Sequence, residues 1–286
     1  MTAAAGPAVL VGLGSDRNLP VVQLAAREAA THDRPLHLVH AFDWSAAFQA
    51  DTVAAPRDQA EDLIARANDL ARDVEPELTV TGEIVEGSAV SVLLRRSEQA
   101  FMLAVGDGGM ATCEGCVPAD APAVQLAARA SCPVLVVRRD PPPKGPVLVG
   151  VDGSPSSNTA LEWAYDCAAR RGSRLLAVRV VEPDEDADEI ARQLDDVVHR
   201  AADRHPDVPT ECHAIRGDPG SVLVEQSRSA QLALVAARGD EPGRGMLGAV
   251  AQTLLYHAPA PVVVVRGMTR TAPQGRNARP TRDQRP

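Results

Sequence analysis

Lysine is nearly absent from this chain of 286 residues, in which Lys144 is the only one and arginine supplies the other positive side chains. Lys144 follows three prolines and precedes Gly145 and Pro146. A Walker A loop needs a lysine followed by serine or threonine. A kinase-type strand lysine or a Schiff-base lysine needs a strand or a buried pocket around it. The sequence therefore excludes all three lysine-dependent chemistries.

Export and membrane signals are also missing. A signal peptide begins with a basic residue before an apolar run, and the segment 1–7 has no such basic residue. No unbroken apolar stretch approaches the ~18 residues of a membrane span. The five cysteines are an odd number, which without an export signal favours reduced thiols. We therefore expect a cytoplasmic protein that does not act at a membrane.

Metal-ligand pairs are scarce. Cys113 and Cys116 form a lone Cys-x-x-Cys in a glycine-containing segment, and the other cysteines are scattered. A structural zinc site needs a second ligand pair with similar spacing. No metal site is predicted.

Acidic residues outnumber basic ones, and the formal charge is −9. The segment 269–286 opposes this balance with five arginines and one acid, so the rest of the chain is more acidic still. An acidic surface repels phosphate, which argues against nucleic acid as a partner. The same segment is rich in proline, glycine, asparagine and glutamine without an apolar period, which predicts a disordered basic tail.

Three motifs occur twice along the chain, and the offset between the two occurrences drifts only from 138 to 128 residues. A period of this length indicates a duplicated domain, since solenoid repeats run to ~20–50 residues. The paired segments are 9–14 with 147–152, 91–94 with 221–224, and 133–138 with 261–266. We predict a first copy over 1–138, a proline-rich linker over 139–146, a second copy over 147–268 and the tail over 269–286.

Strands alternate with helices in each copy, which predicts an α/β fold with two repeats of a five-stranded, doubly wound parallel sheet of Rossmann-like type. Continuous apolar runs such as 147–151 are typical of strands buried on both faces. Ligands of such sheets bind where strand order reverses, at the carboxyl ends of the strands. The predicted strands lie near 8–13, 36–41, 78–85, 101–105 and 134–138, and at 147–151, 175–181, 211–216, 232–236 and 262–266.

A glycine-rich segment follows the fourth strand of the second copy and leads into a helix that begins near Ala249. Such a loop offers backbone N–H groups and the positive end of a helix to an anion, typically phosphate. Asp152 follows the first strand of the same copy. Together these features indicate a candidate nucleotide site.

The segment 147–154, this glycine-rich loop and the closing motif 255–262 resemble the universal stress protein family in its tandem form. The resemblance covers nearly all of 147–266, is weaker over 8–138, and implies an adenine nucleotide alpha-hydrolase-like fold. ATP-binding members carry Gly-x-x-Gly, nine residues, then Gly-Ser/Thr, with an aspartate after strand one. The resemblance implies ATP or AMP as ligand, with Asp152 as that aspartate, the Val180 backbone at the adenine, and Gly239 and Gly248 as the second and third glycines. The candidate site residues are Val151, Asp152, Val180, Gly239, Gly243, Arg244, Gly245, Gly248, Ala249 and Val250.

The second copy departs from this pattern. Ala236 replaces the first glycine, eight residues separate Gly239 from Gly248, and Ala249 replaces the Ser/Thr that would bind phosphate. Losing one hydrogen bond to a charged group costs about 1.5–3 kcal/mol, tenfold or more in affinity. Arg244 could compensate by a bidentate contact to phosphate.

The first copy departs further. Gly14 stands where the aspartate should be, Asp120 replaces the third glycine, and Ala121 replaces the Ser/Thr. A carboxylate at a phosphate position repels the ligand, so we expect no ATP binding in this copy.

The sequence leaves three alternative functions to consider. The first is a non-enzymatic stress-response or regulatory module whose nucleotide binding is weak or lost. The second is a stress regulator that binds ATP or AMP in the second copy only. The third, an enzyme on the related hydrolase architecture, is disfavoured because no base or nucleophile and no Ser-Gly-Gly-type loop follows either first strand.

The apolar strands 133–138 and 261–266 indicate where the two copies contact each other. In the family this strand often lies at the sheet edge and forms the dimer contact, and exposed edges of this kind invite aggregation. We expect the two copies to cover each other as an intrachain pseudo-dimer. A further homo-oligomer and unidentified protein partners stay open.

Overall fold

A computed structural model of the protein describes residues 6–42, 54–108, 121–238 and 245–266. Within them the chain forms strands and helices in regular alternation, except where β5 is followed directly by β6. The strands are β1 (Val9–Leu13), β2 (Leu36–Phe42), β3 (Val80–Glu86), β4 (Met102–Gly106), β5 (Val134–Val137), β6 (Val147–Gly150), β7 (Leu175–Val181), β8 (Thr210–Arg216), β9 (Leu232–Ala236) and β10 (Val262–Val265).

Each half of the chain contributes four α-helices to the described residues. Most begin at the turn that follows a strand, as the alternation of apolar strand and amphipathic helix predicts. The helices are α1 (Leu19–Thr31), α2 (Ala54–Val74), α3 (Ala89–Ser97), α4 (Pro122–Arg129), α5 (Pro155–Arg171), α6 (Ala187–Ala202), α7 (Pro219–Ser227) and α8 (Ala249–His257).

The ten strands form one continuous sheet in the order β3-β2-β1-β4-β5-β10-β9-β6-β7-β8. Neighbouring strands are parallel within each half, and the halves meet where β5 pairs with β10 in antiparallel fashion. The predicted α/β fold class is confirmed, and the observed strands agree with the predicted ones to about two residues at each end. The division of the chain at 138 and 147 stays a prediction.

Two hydrophobic cores lie on opposite faces of the sheet. Side chains of alternate residues of a strand point to opposite faces, so Leu175 and Ala177 of β7 enter one core while Leu176 and Val178 enter the other. The first core contains buried residues of α1, α2, α5 and α6, and the second those of α3, α4, α7 and α8. This arrangement places α6 and α8 on opposite faces of the second half.

Two arginines reinforce the pairing of β5 with β10, and they are equivalent in the repeat. The guanidinium of Arg138, which is 6% exposed, donates to the carbonyl oxygen of Leu254 in α8 at 2.8 Å. Reciprocally, Arg266 donates to the carbonyl oxygen of Ala128 in α4 at 2.6 Å. Positive side chains stabilise the free carbonyls and negative end of a helix C-terminus. Each half therefore caps a helix of the other, and the two halves pair within one chain.

A second contact between the halves is polar and buried. The side chains of Glu28 and His32, near the end of α1, are both 2% exposed. Arg171 of α5 forms an ion pair with Glu28, and the Nδ1 atom of His32 lies 3.3 Å from a carboxylate oxygen of Asp166 in α5. Burial raises the pKa of Asp166, but the hydrogen bond and charge of His32 and the charge of Arg170 outweigh it and leave that pKa below its usual value.

Several predictions fall on residues that the structure does not describe. They are the lone Cys113–Cys116 pair, Asp120 of the first copy, Gly239, Gly243 and Arg244 of the candidate site, and the basic tail over 269–286. Among the described helices, none combines the length and apolar character that crossing a membrane requires.

Candidate functional site

The candidate site lies at the carboxyl ends of β6, β7 and β9. The register pairs Gly150 with Val178 and Val149 with Leu234. Extending that register by two residues sets Asp152 level with Val180, and Val151 level with Ala236. Strand order reverses between β6 and β9, the position at which doubly wound sheets bind ligands.

Asp152 has a structural role in the turn that starts α5. Its Oδ1 atom accepts the backbone N–H of Ser154 at 2.9 Å, and the Oγ atom of Ser154 accepts the backbone N–H of Ser157 at 3.1 Å. Ser154 is thus the N-cap of α5. Burial raises the pKa of Asp152, but the hydrogen bonds from Ser154 and Ser157 outweigh burial and lower it. The carboxylate is therefore ionised at neutral pH.

Two other predicted site residues, Val151 just after β6 and Val180 in β7, pack within the protein. Val151 is buried, and its backbone N–H donates to the carbonyl oxygen of Val178 at 2.9 Å. Val180 is half-buried and packs against the core that α7 and α8 share. Val180 thus faces the α8 side of the sheet, where the resemblance places the nucleotide.

The start of α8 is the predicted phosphate end of the site. Gly248 is the N-cap and makes no side-chain cap, while its own N–H donates to the carbonyl oxygen of Ala237 at 2.8 Å. Ala249 and Gly245 are exposed, and Val250 is half-buried. The first backbone N–H groups of a helix have no partner within it, so this end offers amides but no hydroxyl. Gly239, Gly243 and Arg244 lie outside the described residues.

In the first half, side chains of the chain itself fill the turn after β1, which corresponds to the Asp152 turn after β6. The Oδ1 atom of Asn18 accepts the backbone N–H groups of Gly14 at 2.9 Å and Ser15 at 3.0 Å. Its Nδ2 atom lies 3.0 Å from where a Cβ on Gly106 would be, so the amide bridges the ends of β1 and β4. The Nδ1 atom of His40 lies 3.0 Å from the carbonyl oxygen of Leu13. Sequence reasoning missed Asn18, because asparagine before a helix is also an ordinary cap.

The described cysteines contribute no reactive group. Burial is the main cause that raises the pKa values of Cys132, Cys167 and Cys212 to about 12, so each is a neutral thiol at physiological pH. No group of three potential metal-ligating side chains occurs in the part of the chain that the structure describes.

A polar cavity of about 370 Å³ lies beside Asp152 on the α6 side of the sheet. Of its lining residues, the sequence predicts only Asp152 as a site residue. A signal was present in Arg179, a charged residue inside the otherwise apolar strand β7. The lining residues are Asp152, Gly153, Ser154, Arg179, Gln193, Asp196, Val197 and Arg200.

Comparisons with known proteins identify the family of the chain. The family model of the universal stress protein family matches residues 7–138 and 145–266. A universal stress protein of Mycolicibacterium smegmatis is 34% identical, and the match covers 90% of this chain and 96% of that protein. A universal stress protein from Mycobacterium tuberculosis is 32% identical, and this match also covers 90% of this chain and 96% of that protein.

A solved structure shows the same fold. The crystal structure of a universal stress protein from Archaeoglobus fulgidus matches with a TM-score of 0.71 at 17% identity, covering 91% of this chain and 96% of that one. The family model matches both halves, and the relatives match across them. The chain belongs to the universal stress protein family and carries its domain twice.

Proposed function

We propose that the protein is a non-enzymatic stress-response regulator in which nucleotide binding is weak or lost. One observation carries the proposal: the start of α8 has neither a capping side chain at Gly248 nor a hydroxyl at the exposed Ala249. At these two described positions a phosphate meets backbone amides and no side-chain hydroxyl. The missing hydroxyl lowers affinity about tenfold, from a hydrogen bond to a charged group worth about 1.5–3 kcal/mol.

The first half supports the same proposal. Asn18 accepts the backbone N–H groups of Gly14 and Ser15, at the position that Asp152 takes in the second half, and its side chain lies against Gly106. A nucleotide would have to displace these hydrogen bonds. We therefore propose that the first copy binds no nucleotide.

The side chains at the site favour binding or regulation over catalysis. Asp152 is the titratable group at the end of β6, and hydrogen bonds hold its pKa below the usual range. A carboxylate with a lowered pKa is a weak general base at neutral pH.

The free thiols Cys132 and Cys167 support a cytoplasmic location as part of the proposal, because reduced cysteines are typical of that compartment.

A second candidate function is ATP or AMP binding in the second copy alone. It is favoured by the register that sets Asp152 level with Val180, beside the uncapped start of α8. Under this alternative the amides of α8 hold phosphate and the Val180 backbone meets the base.

Calorimetric titration of the whole protein with ATP, AMP and cyclic AMP separates the two functions. The matched variants are Ala249→Thr and Ala249→Val, which add side chains of the same shape with and without a hydroxyl. We expect weak or absent binding by the native protein, and at least a tenfold gain in affinity for Ala249→Thr but not for Ala249→Val. Micromolar binding by the native protein that Asp152→Ala abolishes would favour the alternative and contradict the proposal.

A further inference from the structure

The polar cavity beside Asp152 is separate from the candidate nucleotide site. Val180 packs on the side of the sheet that carries α8. Arg179, its neighbour in β7, lies on the other side, with Leu175, Ala177 and α6. The loop after β6 lines the cavity, and Asp152 belongs both to the cavity and to the candidate nucleotide site.

Arg179 forms the inner wall of this cavity. It is half-buried, and its Nη1 atom lies 3.3 Å from the position that a Cβ on Gly153 would take. Gly153 has a φ of +86°, a conformation that L side chains rarely adopt. The glycine thus permits both the turn and the close approach of the guanidinium, which lies beside the start of α5. That helix end adds positive potential to the charge of Arg179.

One face of α6 forms the outer wall. Gln193, Asp196, Val197 and Arg200 take positions i, i+3, i+4 and i+7, so they line the same side of the helix. Within the described residues, no ion pair shorter than 4.0 Å joins Arg179 or Arg200 to the carboxylates of the cavity. Both guanidinium groups therefore keep donors for a ligand.

We propose that this cavity binds a small polyhydroxylated phosphate monoester, of the size of a sugar phosphate. Arg179 and Arg200 supply bidentate donors for the phosphate. Asp152 and Asp196 accept hydrogen bonds from hydroxyl groups, and they disfavour a ligand that carries negative charge at both ends. A volume of about 370 Å³ falls in the usual range for small-molecule sites.

The first half lacks the same feature. By the repeat register, His40 of β2 stands where Arg179 stands in β7, and its ring contacts the carbonyl oxygen of Leu13. Gly14 stands in the place of Asp152. The proposal therefore assigns one such site to each chain.

Ribose 5-phosphate, inorganic phosphate and ribose serve as probes in calorimetric titrations of the whole protein. We expect one ribose 5-phosphate per chain, bound more tightly than inorganic phosphate, and little binding of ribose. Arg179→Gln and Arg200→Gln should each weaken the binding at least tenfold. The matched control is Arg192→Gln, an exposed arginine of α6 that is paired with Glu189 and does not line the cavity.

Three outcomes would overturn the inference. One is the absence of measurable ribose 5-phosphate binding, and another is an equal loss in Arg192→Gln. The third is binding that Ala249→Val abolishes while Arg179→Gln does not, which would move the ligand to the start of α8. Unchanged thermal unfolding of the arginine variants excludes loss of folding as the cause of weaker binding. The result does not depend on whether ATP or AMP binds at α8.

Discussion

The Asp152 side chain has a structural role in a turn and also lies at the candidate sites. Its carboxylate organises the turn at the start of α5 through the N–H of Ser154, and it also borders both the candidate nucleotide site and the polar cavity. The hydrogen bonds that lower its pKa are made in the folded turn. A loss of function in an Asp152 variant therefore has to be separated from a loss of stability.

Replacing Asp152 by alanine should lower the free energy of unfolding by about 1 kcal/mol at neutral pH, a typical value for lost capping interactions. The folded pKa is lowered, so the stabilisation is fully present above the unfolded pKa of about 3.9 and is lost as pH falls through the folded pKa. Urea unfolding of Asp152→Ala and native protein between neutral and acidic pH measures this. The difference should shrink on acidification, and a difference that grows would contradict the assignment. Asp184→Ala, at an exposed aspartate, is the control.

At the scale of elements, the junction of β5 with β10 governs how the halves meet. Both strands are runs of valine and leucine that are buried along their whole length. Hydrophobic pairing alone leaves their register loosely specified, since neighbouring side chains are nearly alike. The buried Arg138 contacts α8 of the other half and also lies 3.4 Å from a carboxylate oxygen of Asp107. Arg138 thereby connects the junction to α8, the helix at the candidate nucleotide site, and to the end of β4.

Arg138→Met should destabilise the protein by about 2–3 kcal/mol, because hydrogen bonds to charged groups are worth about 1.5–3 kcal/mol and Asp107 loses its partner arginine. Chemical unfolding followed by circular dichroism provides the measurement. Arg139→Met is the matched control, since this exposed arginine is the next residue in the chain. Equal effects of the two substitutions would show that the junction does not depend on the guanidinium.

At the scale of the whole molecule, the two halves form one sheet but are not equivalent. Glu28 and His32 come only from the first half, and Arg171 and Asp166 only from the second. A buried ion pair adds little net stability, whereas removing one partner leaves an uncompensated charge in the interior. The contact of α1 with α5 is therefore sensitive to single substitutions.

Arg171→Met should lower the free energy of unfolding by about 3–5 kcal/mol, because Glu28 is then buried without its cation. The double variant Glu28→Leu with Arg171→Met should recover most of that loss. Urea unfolding of the native, single and double variants measures the coupling, with Arg192→Met as an exposed control. A double variant no more stable than the single one would contradict the view that the unpaired charge causes the loss.

The fold could be predicted nearly completely from the sequence. Apolar runs such as 232–236 are long enough to identify buried strands, and the offset between repeated motifs identifies the duplication. The candidate site could be predicted only in part. Asp152, Val180 and Gly248 are predicted from the family resemblance and stay predictions, whereas Arg179 and Asn18 belong to no motif. Their roles depend on neighbours that come from other strands and helices.

The sequence by itself determined the α/β class, the two copies, the approximate strand limits and the departure from the family's phosphate motif at Ala249. These features depend on local periodicity and on residues close together in the chain. Only the tertiary structure decided that Asn18 lies between the ends of β1 and β4, that Arg179 and α6 line a polar cavity, and that Glu28 meets Arg171. Each of these depends on the burial and orientation of side chains from separate elements, and sequence spacing does not specify either one.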